Sequence, residues 1–170
     1  MRYVVALAIA ASIGAQPVPH PAKDFVCSDA NGKKIALSSY KGKVVLIQFL
    51  STTCAHCQAL SQMLTKLQAE YGPQGFQAVG IAFNEANAGM VKSYVEDHHI
   101  GIPVGFAPRD AVLQYLGVSV MDQRLSVPQV VVIDRAGQVR AQSDPQGTRE
   151  LSDESYLRAL IVRLLAGGRK

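Results

Sequence analysis

Seven consecutive residues, Val44 to Leu50 (VVLIQFL), form a near-continuous apolar run rich in branched side chains. Such a run fits a strand covered on both faces, as in a parallel sheet. It ends in small polar residues and then in two cysteines three positions apart, Cys54 and Cys57. From Ala55 onward Leu60, Met63, Leu64, Leu67 and Tyr71 recur at helical spacing, until Gly72-Pro73 stops the run. The cysteines therefore fall at a strand-to-helix junction, in the first turn of an amphipathic helix. With 170 residues and 48% apolar side chains the chain can build one such core.

The rest of the chain continues the alternation. Phe76–Phe83 reads as a second buried strand, and Asn87–His99 as a helix capped by Asn87. IGIPVGF is a short extended piece and RDAVLQYL a short helix, followed by a loop from Gly117 to Ser126 whose Met121 and Asp122 could line a groove. Val127–Asp134 is a strand that opens with a proline, and the turn DRAG leads to a hairpin partner, QVRAQS. Ser152, ahead of Asp153 and Glu154, caps a last helix carrying Leu157, Leu160, Ile161, Leu164 and Leu165 that stops at Gly167-Gly168. Before all of these, two short apolar runs flank Asn31-Gly32, a dipeptide suited to a tight hairpin turn. The class is α/β, with a mixed central sheet flanked by helices and an N-terminal β-hairpin extension.

The first residues, MRYVVALAIAASIGAQP, set one positive charge ahead of about a dozen apolar residues, then small residues and a proline, the layout of a secretory signal. The apolar run is short for a bilayer span. The expected organisation is a signal peptide over 1–15, a flexible lead-in over 16–22 that contains His20, and one domain over 23–167, with an uncleaved membrane anchor as the alternative. Export places the chain in the periplasm or cell envelope, where thiols tend to be oxidised. The net charge of +4 comes from scattered lysines and arginines, with no basic stripe interleaved with aromatics, so nucleic acid is not an expected partner.

Three cysteines cannot make a disulfide framework; a pair plus one remains. The pair could hold half of a zinc site, staple a loop or exchange electrons. Zinc in its usual spacing needs a second pair, and Cys27 with His98 or His99 offers none, so no metal is expected. Exchange needs a thiolate, which unpaired N–H groups at a helix start stabilise, while the three-residue spacing lets a second thiol resolve a mixed disulfide. On this reading Cys54 is the exposed attacker and Cys57 the shielded resolver, with no organic cofactor. Cys27, in a predicted strand, is a small buried hydrophobe. His98 and His99 close a helix end, where a cation suits the dipole.

FLSTTCAHC after a buried strand, LSVPQVVVID about seventy positions later and DFVCSDANGKKIALSSYKGKVVLIQF before it resemble the thioredoxin superfamily, in particular envelope thioredoxin-like proteins of the TlpA and AhpC/TSA type. The resemblance spans roughly residues 22 to 165. It implies a thioredoxin-like fold, a thiol:disulfide oxidoreductase acting on protein thiols or disulfides, with or without a membrane redox partner, and a cis Pro128 which, with Val127, borders a substrate groove facing the disulfide. His56 resembles the histidine before the second cysteine in the oxidant DsbA and in protein disulfide isomerase, which implies a redox-tuning role.

The chain also departs from the family's pattern. Gln48 stands where thioredoxins resemble one another in a buried Asp, Leu60 replaces a Glu of some cytochrome-maturation reductases, and Gln62 stands where many relatives kink the helix with proline. These departures argue against a narrow role in cytochrome c maturation. Two rival readings use the same cysteines. A peroxiredoxin-like thiol peroxidase matches Ser51-x-x-Cys54 but lacks the preceding proline, which is Ile47 here. A copper chaperone would use the soft thiolates beside an imidazole.

Overall fold

The structure is a computed structural model and describes residues 17–119 and 125–167. The expected signal segment over 1–15 and the groove residues Met121 and Asp122 lie outside the described residues. Eight strands, β1 (His20–Pro21), β2 (Val26–Asp29), β3 (Lys34–Ala36), β4 (Val44–Leu50), β5 (Phe76–Ala82), β6 (Val104–Phe106), β7 (Gln129–Ile133) and β8 (Gln138–Gln142), form one mixed sheet in the order β1-β8-β7-β4-β5-β6-β2-β3. At its centre β4 (Val44–Leu50) runs parallel to β5 (Phe76–Ala82) and antiparallel to β7 (Gln129–Ile133), and all seven of its residues are buried. The apolar run thus has the covering expected of it, although one of its two neighbours is antiparallel.

The period-two alternation of β4 divides its side chains between two cores. Val44, Leu46 and Leu50 pack with α1 (Ala55–Tyr71), α2 (Ala88–Asp97) and α4 (Glu154–Ala166). Val45, Ile47 and Phe49 pack on the other face with Val112 and Leu116 of α3 (Arg109–Leu116) and with Phe25, Cys27 and Ile35. Burying each such large side chain contributes on the order of 1.5–3 kcal/mol, and the strand gains from both faces at once. The sheet continues through β6 (Val104–Phe106), parallel to β5, to the hairpin β2 (Val26–Asp29) and β3 (Lys34–Ala36); on the other side β8 (Gln138–Gln142) pairs with β7.

Three local readings differ from the structure. The hairpin turn is a loop over residues 30–33, in which Gly32 alone takes a positive φ (78°) and donates its N–H to Asp29 O. The Asp29 carboxylate accepts from the N–H groups of Asn31 and Lys33 at 2.8 and 2.9 Å, which holds Asn31 out of the left-handed region. Within the lead-in expected to be flexible, His20–Pro21 is strand β1, paired antiparallel with β8. The cap of α4 is Asp153, which accepts from Tyr156 N–H at 2.8 Å, while Ser152 closes a preceding 3-10 turn. Asn87 caps α2 as expected, accepting from Met90 N–H at 3.1 Å.

The join between β2 and β6 depends on an absent side chain. A β-carbon on Gly105 would lie 2.5 Å from Cys27 Sγ and 2.9 Å from Ser28 O. The second contact is with backbone, so a rotamer change cannot relieve it. Gly105→Ala is therefore expected to destabilise the fold by about 1–3 kcal/mol, with only partial recovery in the Cys27→Ala background. Urea unfolding of both variants checks this, and an unchanged midpoint in Gly105→Ala contradicts the register described.

Candidate active site

The carboxyl end of β4 delivers the chain into Ser51–Thr53, a loop held from two sides. Thr52 N–H donates to Asn84 Oδ1 at 3.2 Å and Asn84 Nδ2 donates back to Thr52 Oγ1 at 3.0 Å, tying the loop to the residues after β5. Gln58, from the first turn of α1, donates to Thr52 O at 3.2 Å. Cys54 then occupies the N-cap of α1 with extended backbone, and its sulfur does what a capping oxygen does elsewhere: it accepts the Cys57 N–H at 3.2 Å. Both thiols are free; Cys54 is half-buried and Cys57 completely buried.

Val127 and Pro128, expected on the other side of the site, are brought to it. The Cys54 thiol points at Val127 O, 3.9 Å away, and the Val127–Pro128 peptide is cis. Both residues are half-buried. Their loop is braced by buried Gln129, whose amide donates to Ser126 O at 2.8 Å and Asp144 O at 3.0 Å, and by Ser126 N–H donating to Pro145 O at 2.8 Å. An open groove lined by Thr53, Met90, Asp97 and His98 runs beside the Ser51–Thr53 loop. Two other concavities, one floored by Leu37, Val45 and Ile133 and one between the hairpin and α2, have no residue of this site in their walls.

Position separates the two thiols chemically. Burial, and then the hydrogen bond with Cys54, pushes the Cys57 thiol far up from a thiol's ordinary range, so it is protonated at neutral pH. Cys54 has an N–H donor aimed at its sulfur and access to solvent, which is what an attacking thiolate requires. His56, the second residue of α1, is exposed. Cys27 lies apart, in the core on the opposite face of the sheet from Cys57, and burial pushes its thiol up to about 11.

Beneath Cys57 lies a set of polar contacts that the sequence reading did not anticipate. Gln48, fully buried, donates from Nε2 to Cys57 O at 2.8 Å and accepts on Oε1 from Ser61 Oγ at 2.7 Å. Ser61 Oγ is also 2.7 Å from the Tyr94 hydroxyl, which lies 3.2 Å from Cys57 O. In the sequence Gln48 is distinguished only by the acid it replaces, and Tyr94 reads as an ordinary helix residue. The available signal was Ser61 itself, a polar residue between Leu60 and Leu64 on the apolar side of α1. Among the described residues no group of three or more His, Cys, Asp or Glu side chains is placed to hold a metal ion, and no helix is long and apolar enough to cross a membrane.

This asymmetry sets an expected order of labelling. In the reduced protein near neutral pH, iodoacetamide should modify Cys54 at least about tenfold faster than Cys57 or Cys27, since the latter two are both buried and held as thiols. Mass spectrometry of the labelled peptides reads this, and equal labelling of the three contradicts the geometry. The Cys27 thiol, raised in the fold above its unfolded value, supports stability fully below the unfolded value and loses that support as pH rises toward about 11. Cys27→Ala should therefore flatten the alkaline fall in stability.

Known proteins resemble the chain over most of its length. The chain is similar to the thiol-disulfide oxidoreductase ResA of Bacillus thuringiensis subsp. konkukian, 27% identical over 139 residues that cover 82% of this chain and 76% of the relative. It is similar also to ResA of Geobacillus thermodenitrificans, 28% identical over 152 residues, covering 82% of this chain and 83% of that one. Among solved structures, a thiol:disulfide interchange protein of the thioredoxin family from Chlorobium tepidum superposes with a TM-score of 0.70 and 28% identity, covering 89% of this chain and 99% of that one. A family model described as the AhpC/TSA family matches residues 18–142, and the chain belongs to that family.

Proposed function

We propose that Cys54 and Cys57 carry the thiol:disulfide oxidoreductase activity of this chain, with Cys54 as attacker and Cys57 as resolver. The observation that carries this reading is the Cys57 N–H aimed at the sulfur of a half-buried Cys54 while Cys57 itself is fully buried. The Cys54 thiolate attacks a substrate disulfide and forms a mixed disulfide, and one substrate sulfur leaves and takes up a proton. Cys57 then loses its proton and attacks Cys54 Sγ, which closes the Cys54–Cys57 disulfide and releases the second substrate thiol. Two electrons pass from the pair to the substrate, and the reverse sequence oxidises a dithiol.

Half-buried Val127 and Pro128 form the wall along which substrate backbone passes beside Cys54. The substrates are protein thiols or disulfides. The charge and apolar layout of residues 1–15 supports export to the periplasm or cell envelope. His56 tunes the pair from an exposed position, where solvent screening limits its effect.

Replacing Cys57 by Ser should leave Cys54 able to attack but unable to release, so mixed disulfides accumulate through Cys54. Trapped adducts that map to Cys27, or turnover of peroxide faster than of disulfides, would overturn the assignment. For His56→Pro the reduction potential should fall by tens of millivolts, about 30 mV corresponding to roughly 1.4 kcal/mol for the two-electron couple. Equilibration against glutathione measures it, and an unchanged potential makes His56 a bystander.

A further inference from the structure

Gln48 is the one polar residue of β4, and it lies on the face of the sheet that carries α1 and α2. With Ser61 and Tyr94 it closes a ring of contacts on the Cys57 carbonyl. The donors in that ring can be counted. The Gln48 amide supplies one N–H to Cys57 O; Ser61 has a single hydroxyl proton and gives it to Gln48 Oε1. The Tyr94 proton then has two acceptors, Ser61 Oγ at 2.7 Å and Cys57 O at 3.2 Å. No carboxylate takes part.

We propose that Gln48 and Tyr94 are positioning residues for Cys57: they hold the peptide that carries the resolving thiol through neutral hydrogen bonds, and the Tyr94 proton changes acceptor as the thiol pair changes state. Closing the disulfide bonds Cys57 Sγ to Cys54 Sγ, so the Cys57 peptide has to accommodate movement of one thiol toward the other. A buried donor left without an acceptor by that movement is costly, and a hydroxyl with two acceptors at hand follows it without loss. The inference rests on the reading of Cys54 and Cys57 as the exchanging pair.

The ring also limits what titrates near Cys57. Among the described residues the ionisable groups around it are Cys54, Cys57 and His56 at the start of α1, and, on α2 and at its end, Tyr94, Asp97 in the adjoining groove and His98, whose ring packs edge-on to Tyr94 at 5.4 Å. Tyr94 is pushed up to about 12 by burial and is neutral throughout the working range. The strands beside Gln48 present Gly80 and Val130, and α4 packs against this core with Leu157 and Ile161.

The test is the rate at which Cys57 resolves a preformed Cys54–glutathione disulfide, followed across the neutral pH range beside the rate of Cys54 alkylation. Tyr94→Phe should slow resolution by about tenfold and leave alkylation within about twofold, because only Cys57 has lost a support. Gln48→Glu places a buried carboxyl in the ring. Protonated, it reproduces the amide's donor and acceptor; ionised, it opposes the Cys57 carbonyl. Resolution in that variant should match wild type at low pH and fall as the carboxyl ionises, an inflection absent from wild type and retained in the His98→Gln background. Resolution unchanged in Tyr94→Phe overturns the proposal, as does a folded Gln48→Glu with no new inflection; should Gln48→Glu fail to fold, Tyr94→Phe decides alone. Loss of exchange in Cys54→Ser separates the two readings, since full exchange in that variant would defeat the cysteine assignment itself.

Discussion

β4 has no exposed face, and the rest of the molecule is arranged to keep it so. A strand buried on both sides can satisfy its backbone only through neighbours on both edges and its side chains only through layers on both faces; β5 and β7 supply the first, and α1, α2, α4 on one face and α3 with the hairpin residues on the other supply the second. Such a strand cannot hold a reactive group along its length. It can hold one where it ends, and Cys54 comes four residues after Leu50, where the chain turns into α1.

The junction makes two equivalent residues unequal. One sulfur terminates a helix and receives its unpaired N–H; the other, one turn in, is sealed beneath the same helix. On the proposed assignment, the difference between an attacking and a resolving thiol is a matter of position at the start of α1. Across from it the Val127 carbonyl and cis Pro128 are held by Gln129 and Ser126, so the two walls of the site belong to different parts of the chain and meet through the sheet order alone.

Much of this was legible in the sequence because the signals were local. The apolar runs of β4 and β5, the periodicity of α1 and the cysteine spacing each concern neighbours in the chain, as do the Asn87 cap and the DRAG turn. What was missed depended on competition or on distance. Ser152 and Asp153 are adjacent capping residues, and the preceding 3-10 turn takes the first of them. Asn31 is fit for a left-handed angle, but the Asp29 carboxylate holds a wider loop. Ser61 and Tyr94 read as ordinary members of two amphipathic helices; their meeting over Gln48 joins α1, α2 and β4, and no pattern within a single element announces it.

The outer strands have a bearing on the company such a protein keeps. The sheet ends on one side in β1, two residues long, and on the other in β3, three residues long with Lys34 exposed. Short edges, one bearing a lysine and the other a proline, offer little template to an incoming strand. Polypeptides whose disulfides are still being exchanged are often incompletely folded and carry unpaired backbone, the kind of material that adds itself to open sheets. If the proposed exchange acts on such chains, margins this short give them little on which to add a strand beside the sulfur.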